Sequence, residues 1–192
     1  MLRRLYDRTL ALAGSRRAVP ALFGVSFVES SVFPIPPDLL LVPMVLSRRR
    51  EWLWFAAVAT VGSVLGGIVG YLIGAFLFDQ VAEPILAFYG YAEKFEAFRE
   101  LFNEWGWWIV FGAGITPFPY KVITIASGAT GLSLPVFVVA SIVGRGIRFF
   151  LVAVLLYVLG PPVRAFIEQR LGLVLGLVAA FGIAGFLAIR WL

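Results

Sequence analysis

Phe33-Pro34-Ile35-Pro36-Pro37-Asp38 stands at the centre of one apolar stretch, residues 18–47, and Thr116-Pro117-Phe118-Pro119-Tyr120-Lys121 at the centre of a second, residues 106–133. Clustered prolines stop a helix, because each lacks an amide donor and its ring clashes with the preceding turn. Each stretch therefore reads as two half-helices joined by broken backbone. In a water-soluble domain that is an ordinary loop. Here the surroundings are apolar, so the breaks at Pro34, Pro36, Pro37, Pro117 and Pro119 are expected at membrane depth, as the tips of helical hairpins.

Working outward, three unbroken apolar segments are long enough for the roughly 20 residues a bilayer demands. They are 52–78, 134–160 and 171–192. Of the 192 residues, 61% are hydrophobic and only 14% charged, against roughly a quarter charged in soluble domains. A soluble fold and a disordered chain are both excluded. The net charge of +5 lies in short arginine clusters beside apolar stretches, the pattern of a membrane protein facing a negative inner leaflet. No basic run is long enough for a nucleic-acid-binding face.

The chain has no cysteine and no histidine. Disulfides, thiolate chemistry, the usual zinc sets and a Ser-His-Asp triad are excluded, and no cofactor or metal is expected. Asp7 and Arg8 interrupt the apolar region that a secretory signal would need, although Ala11-Leu12-Ala13 resembles a cleavage site. Residues 1–17 read better as an interfacial segment.

Flanking charge orients the segments. Arg16 and Arg17 precede the first broken stretch and Arg48-Arg49-Arg50 follow it. Both its ends then belong to the cytoplasmic side, which makes it re-entrant. Residues 79–105 carry six acids, Asp79, Glu83, Glu93, Glu96, Glu100 and Glu104, against Lys94 and Arg99, and belong outside. Within that loop Phe95, Phe98, Phe102 and Trp105 follow helical spacing opposite the glutamates, as in an interfacial amphipathic helix. Arg164 and Arg170 fit a return to the cytoplasm after 134–160, whereas Arg190 falls outside. The alternative is that each broken stretch is a kinked full span.

Shifting the sequence by 83 positions lays Pro34 on Pro117, Pro36 on Pro119, Asp38 on Lys121 and the 52–78 segment on 135–161. Hairpin plus helix then occurs twice from opposite sides, an inverted repeat of the kind that places transporter sites between two halves. The expected fold is all-α and polytopic. It comprises a membrane domain over 18–170 and an extra C-terminal helix at 171–192. Gly62, Gly66, Gly70 and Gly74 form a smooth stripe suited to close packing, which also allows a homodimer.

Charges at membrane depth are costly and need a reason. Five qualify: Glu29, Asp38, Lys121, Arg145 and Arg148. The alternatives are structural salt bridges and a functional site. Three bases against two acids leave positive charge for an anion, and helix starts beyond the prolines direct free amides to the tips. Thr116 is a candidate cap for one of them. Lys121, Arg145 and Arg148 suit a phosphate group. Glu29 and Asp38 suit proton coupling, because burial favours the neutral form of a carboxyl. An anionic lipid, protons and the bilayer are the expected partners. The rivals are a small-ion or solute carrier, an intramembrane lipid-phosphate enzyme and an assembly protein.

Phe27-Val28-Glu29-Ser30-Ser31, Pro34-Ile35-Pro36-Pro37-Asp38, Gly114-Ile115-Thr116-Pro117-Phe118-Pro119-Tyr120-Lys121, Ala126-Ser127-Gly128 and Gly144-Arg145-Gly146-Ile147-Arg148-Phe149 resemble one family. Over about residues 18–160 the chain is similar to DedA-family membrane proteins, the bacterial branch of the VTT-domain superfamily, in their YqaA-type subgroup. The resemblance implies two opposed re-entrant hairpins in a bacterial inner-membrane protein. It also implies flipping or scrambling of phospholipid or undecaprenyl phosphate, with phenotypes that depend on the proton-motive force. It places family acids at Glu29 and Asp38. The family's second hairpin carries two arginines around a proline; here Lys121 takes the later position and the earlier falls near Ile115, which is not basic.

Overall fold

A computed structural model describes residues 15, 17–33, 36–78, 80, 83–116 and 118–169. The proposed interfacial segment (but for Ser15 and Arg17), the proposed helix at 171–192, Pro34 and Pro117 lie outside the described residues. The structure is all-helical there. Helix α1 spans Ala18–Ser31 and α2 Asp38–Ser47; a 3-10 turn, Arg49–Glu51, leads into the long α3, Trp52–Leu77. Then follow α4 (Glu83–Phe88), α5 (Ala92–Glu104), α6 (Gly106–Ile115), α7 (Tyr120–Ala129) and α8 (Leu134–Gln169).

The backbone breaks fall at the proline clusters. Helix α1 ends before Pro34, and α2 starts behind Pro37, with Asp38 in its first turn, where the helix dipole favours an acid. Thr116 is extended, at φ −77° and ψ 162°, the conformation a following proline imposes. Helix α7 starts behind Pro119, which is its N-cap, so Thr116 closes α6 and does not cap α7. At the other end Gly131, at φ +67°, stops α7. Its amide donates to the Gly128 carbonyl and the next amide, Leu132, to that of Ser127, as in a glycine-terminated helix end.

Two apolar clusters divide the molecule. One gathers Leu22 of α1, Leu41 and Met44 of α2, Phe55 and Ala59 of α3, and Phe149 and Ala153 of α8. The other gathers Val110 and Ala113 of α6, Tyr120 of α7, and Phe137 and Ala140 of α8, with Ile68 and Tyr71 of α3 packed against it. Helix α3 thus runs from the first cluster to the second, and α8 runs back. Both arms of the first proline-broken stretch pack into the first cluster, and both arms of the second into the other. The first arm of each pair packs on its own long helix. The second arms cross over, α7 onto α3 and α2 onto α8.

The glycine stripe is filled from within the chain. A Cβ at Gly62 or Gly66 would run into the backbone of α1 at Phe23 or Phe27, and one at Gly74 into the backbone of α7 at Ile125. Gly70, between them, lies against both Thr124 and Ser30. Bare backbone lets three helices meet along one line, where dispersion contacts replace the missing side chains.

Outward, α3 exposes Val61, Leu65, Leu72 and Phe76, and α8 exposes Val139, Ile142, Ile147 and Leu151. Among the described residues, α3 and α8 are long and apolar enough to cross a bilayer. Only 28% of the apolar window of α8 is buried in the protein. Lipid is the solvent that such a surface fits. Helix α8 runs on beyond the expected limit at residue 160, through Pro161 and Pro162, to Gln169. In the acidic loop Phe102 is buried and Phe98 and Trp105 are half exposed. Tilted ring contacts join Phe95 to Phe98 and Phe98 to Phe102, and Phe95 stacks on Phe78 at the end of α3.

Candidate functional site

Between the two clusters lies a polar layer. Helix α1 contributes Ser26, Glu29 and Ser30, α3 Thr60 and Ser63, α7 Lys121, Thr124 and Ser127, and α8 Ser141, Arg145 and Arg148; Asp38 opens α2. All five charged residues singled out in the sequence are here, near the proline-broken backbone of both stretches.

Arg145 is completely buried. Its Nη2 donates to Glu29 Oε2 at 2.7 Å and its Nε to Ser63 Oγ at 2.6 Å. Ser63 and Ser30 hydroxyls lie 2.7 Å apart, and Ser30 Oγ donates to Glu29 Oε2 at 3.1 Å. A hydroxyl has one proton, so Ser30 gives its own to Glu29 and Ser63 donates to Ser30. These four residues form a closed ring across α1, α3 and α8. The Tyr120 and Phe149 rings flank the guanidinium, with centroids 4.8 Å and 4.7 Å away, an arrangement that attracts a desolvated cation. Tyr120 is held in turn by its hydroxyl, 2.5 Å from Ser141 Oγ.

The second pair is more open. Arg148 Nη2 donates to Asp38 Oδ2 at 2.6 Å, and these side chains are 19% and 29% exposed, against 0% and 13% for Arg145 and Glu29. Lys121 has a different partner. Its Nζ donates to the Val32 carbonyl at 3.4 Å, and among the described residues it faces no carboxylate. One turn on, the Thr124 hydroxyl shares its one proton between the Lys121 carbonyl of its own helix at 2.9 Å and the Ser30 carbonyl at 3.1 Å. The Val32 and Ser30 carbonyls belong to the end of α1, whose last carbonyls lack helical donors. Helix α7 thereby closes the end of α1 and brings the two proline-broken stretches together.

Asp38 Oδ1, Arg145 Nη1 and Ser26 Oγ, all in this layer, are buried without a hydrogen-bond partner. The layer therefore retains unused donor and acceptor capacity beside exposed apolar residues of the tips, Val32, Phe33 and Leu39. Among the described residues no three acids converge into a donor set for a metal. A surface cavity lined by Tyr71, Phe78, Phe95, Arg99 and Gly128 lies elsewhere, at the far end of α3.

Charge in apolar sequence singles out the five charged residues; Ser30, Ser63, Tyr120, Ser141 and Phe149 carry no charge and join them only in the fold. The available signal was hydroxyl-bearing residues recurring at one depth in otherwise apolar helices.

Residues 35–158 match the family model of the VTT domain, a span that begins inside the first break and ends on α8. The chain belongs to the VTT-domain family. This is the DedA/SNARE-associated family, and together with two helices among the described residues that are long and apolar enough to cross a bilayer it makes the chain a membrane protein. The VTT protein is 42% identical over 149 residues to an uncharacterized protein of Haemophilus influenzae, covering 78% of this chain and 77% of the relative. An uncharacterized protein of Histophilus somni is 36% identical over 148 residues, covering 77% of each chain. No solved structure matches.

Proposed function

We propose that this VTT protein is a multi-pass protein of the bacterial inner membrane that flips or scrambles an anionic phosphate lipid in a proton-coupled manner, and that it is a transporter and not an enzyme. In this reading the two proline-broken pairs are re-entrant hairpins related, with their long helices, as an inverted repeat. The crossed packing of α7 on α3 and α2 on α8 supports it, as do helices of 10 to 14 residues. Those reach about 15–21 Å at 1.5 Å per residue, short of a hydrocarbon core of about 30 Å.

The observation that carries the function is Lys121, which among the described residues faces no carboxylate and reaches the end of α1 instead. Beside it Arg148 is held by an acid that one proton would neutralise. Protonation of Asp38 releases Arg148, and Lys121 and Arg148 then hold the phosphate group while the lipid chain stays among Val32, Phe33 and Leu39. Arg145 and Glu29 form the fixed wall of the site.

Purified protein in liposomes with a head-group-labelled phosphate lipid should speed its exchange between leaflets, measured by a membrane-impermeant quencher. Asp38→Asn should abolish the pH dependence of that rate and Lys121→Gln should lower it at least tenfold. Absence of acceleration for phosphodiester and phosphomonoester lipids alike would overturn the reading. A solute carrier would instead pass small anions through liposomes without moving lipid.

A further inference from the structure

Arg49 does more than mark the cytoplasmic side. We infer that it is a positioning residue for α8, acting as the hydrogen-bond donor that Pro161 takes away. Inside a helix each carbonyl accepts from the amide four residues on. For Tyr157 that residue is Pro161, which has no amide hydrogen. The helix nevertheless continues to Gln169, so the Tyr157 carbonyl needs a donor from outside. The Arg49 guanidinium supplies it, through Nη2.

The contact is built from several sides. The guanidinium lies over the Tyr157 ring, 5.6 Å from its centroid, and Trp52, at the start of α3, stacks on the same ring at 5.6 Å. Trp52 also meets the edge of Phe150 at 6.5 Å. Gly160 makes room: a Cβ there would sit 2.9 Å from Arg49 Nε. The neighbouring arginine is used otherwise, since Arg48 pairs with Glu51 at 3.2 Å and covers Phe55. One arginine of the cluster is therefore assigned to the weak point of α8. That helix also carries Arg145 and Arg148, twelve and nine residues before Tyr157, so the clasp sets where their end of the helix rests against α3. The inference does not depend on the transport reading.

Hydrogen–deuterium exchange of the full chain in lipid nanodiscs tests it. Arg49→Ala should speed exchange of the α8 amides around residues 155–169 about tenfold, the scale of one charge-assisted hydrogen bond. Adding Pro161→Ala returns an amide donor to Tyr157 and should restore slow exchange in the Arg49→Ala background. Arg49→Lys should fall between. Gly160→Ala, which by helix propensity alone should slow exchange, should instead speed it by pushing the guanidinium aside. Unchanged exchange in Arg49→Ala, failure of Pro161→Ala to suppress the defect, or slower exchange in Gly160→Ala would each overturn the inference. Should Arg49→Ala not fold, the Gly160→Ala and Arg49→Lys results decide.

Discussion

Glu29–Arg145 and Asp38–Arg148 are built from the same chemistry, and their arginines lie three residues apart on one helix, yet their settings differ. The first is enclosed: four residues complete a hydrogen-bonded ring and two aromatic faces exclude water. The second is partly solvated, with side chains 19% and 29% exposed. Burial decides what an ion pair can do. An enclosed pair repays its desolvation only while every partner stays in place, whereas a half-open pair can exchange partners at small cost. The enclosed pair is thus suited to holding α1, α3 and α8 together, and the open one to binding and release.

The comparison can be broken most sharply at Arg145. Arg145→Ala leaves Glu29 charged and unpaired, and should cost about 3–5 kcal/mol, seen as lost folded yield or a large fall in Tm in nanodiscs. Arg148→Ala should cost clearly less. Equal losses would erase the distinction.

Next in size is Ser63→Ala, which opens the ring without removing a charge. It should cost about 1.5–3 kcal/mol, the worth of a hydrogen bond to a charged group, in the same unfolding measurement. Thr60→Ala, whose hydroxyl bonds only within its own helix, to the Ala56 carbonyl, should cost less.

Exchanging the open pair, Asp38→Arg with Arg148→Asp, should keep the fold within about 1 kcal/mol, as for weakly buried pairs. The same exchange of Glu29 and Arg145 should fail to give folded protein, because Ser63, Tyr120 and Phe149 are arranged around a guanidinium on α8. The smallest expected effect is that of salt. Raising ionic strength from about 0.1 M to 1 M shortens the screening length from about 10 Å to 3 Å. It should weaken the Asp38–Arg148 contribution by a few tenths of a kcal/mol in a double-mutant cycle and leave the Glu29–Arg145 cycle unchanged.

Much of the site was visible in one dimension because charge and proline are rare in apolar sequence. Glu29, Asp38, Lys121, Arg145 and Arg148 stand out for that reason, and the breaks at Pro36, Pro37 and Pro119 fall where backbone chemistry requires. Shifting α2 by 83 positions gives 121–130, one residue from α7. The hydroxyls did not stand out, since Ser63 or Ser141 in an apolar helix is unremarkable until its neighbour is known. The same holds for the glycine stripe, whose regular spacing allowed packing against any smooth partner. The fold assigns Gly62 and Gly66 to α1 and Gly74 to α7.

Composition, proline position and the distribution of arginine are local or additive properties, so the linear chain settles helical class, bilayer-length segments and which charged residues fall in apolar sequence. Partner choice is a matter of distance and dielectric between residues far apart in the chain. Glu29 and Arg145 are separated by 116 positions and Asp38 and Arg148 by 110. Any of the three bases balances either acid on paper. Folding selected Arg145 for a dry, ring-flanked pocket and Arg148 for an open edge, and left Lys121 with a backbone carbonyl. The formal surplus of one positive charge thereby became a particular lysine where the two proline-broken stretches meet.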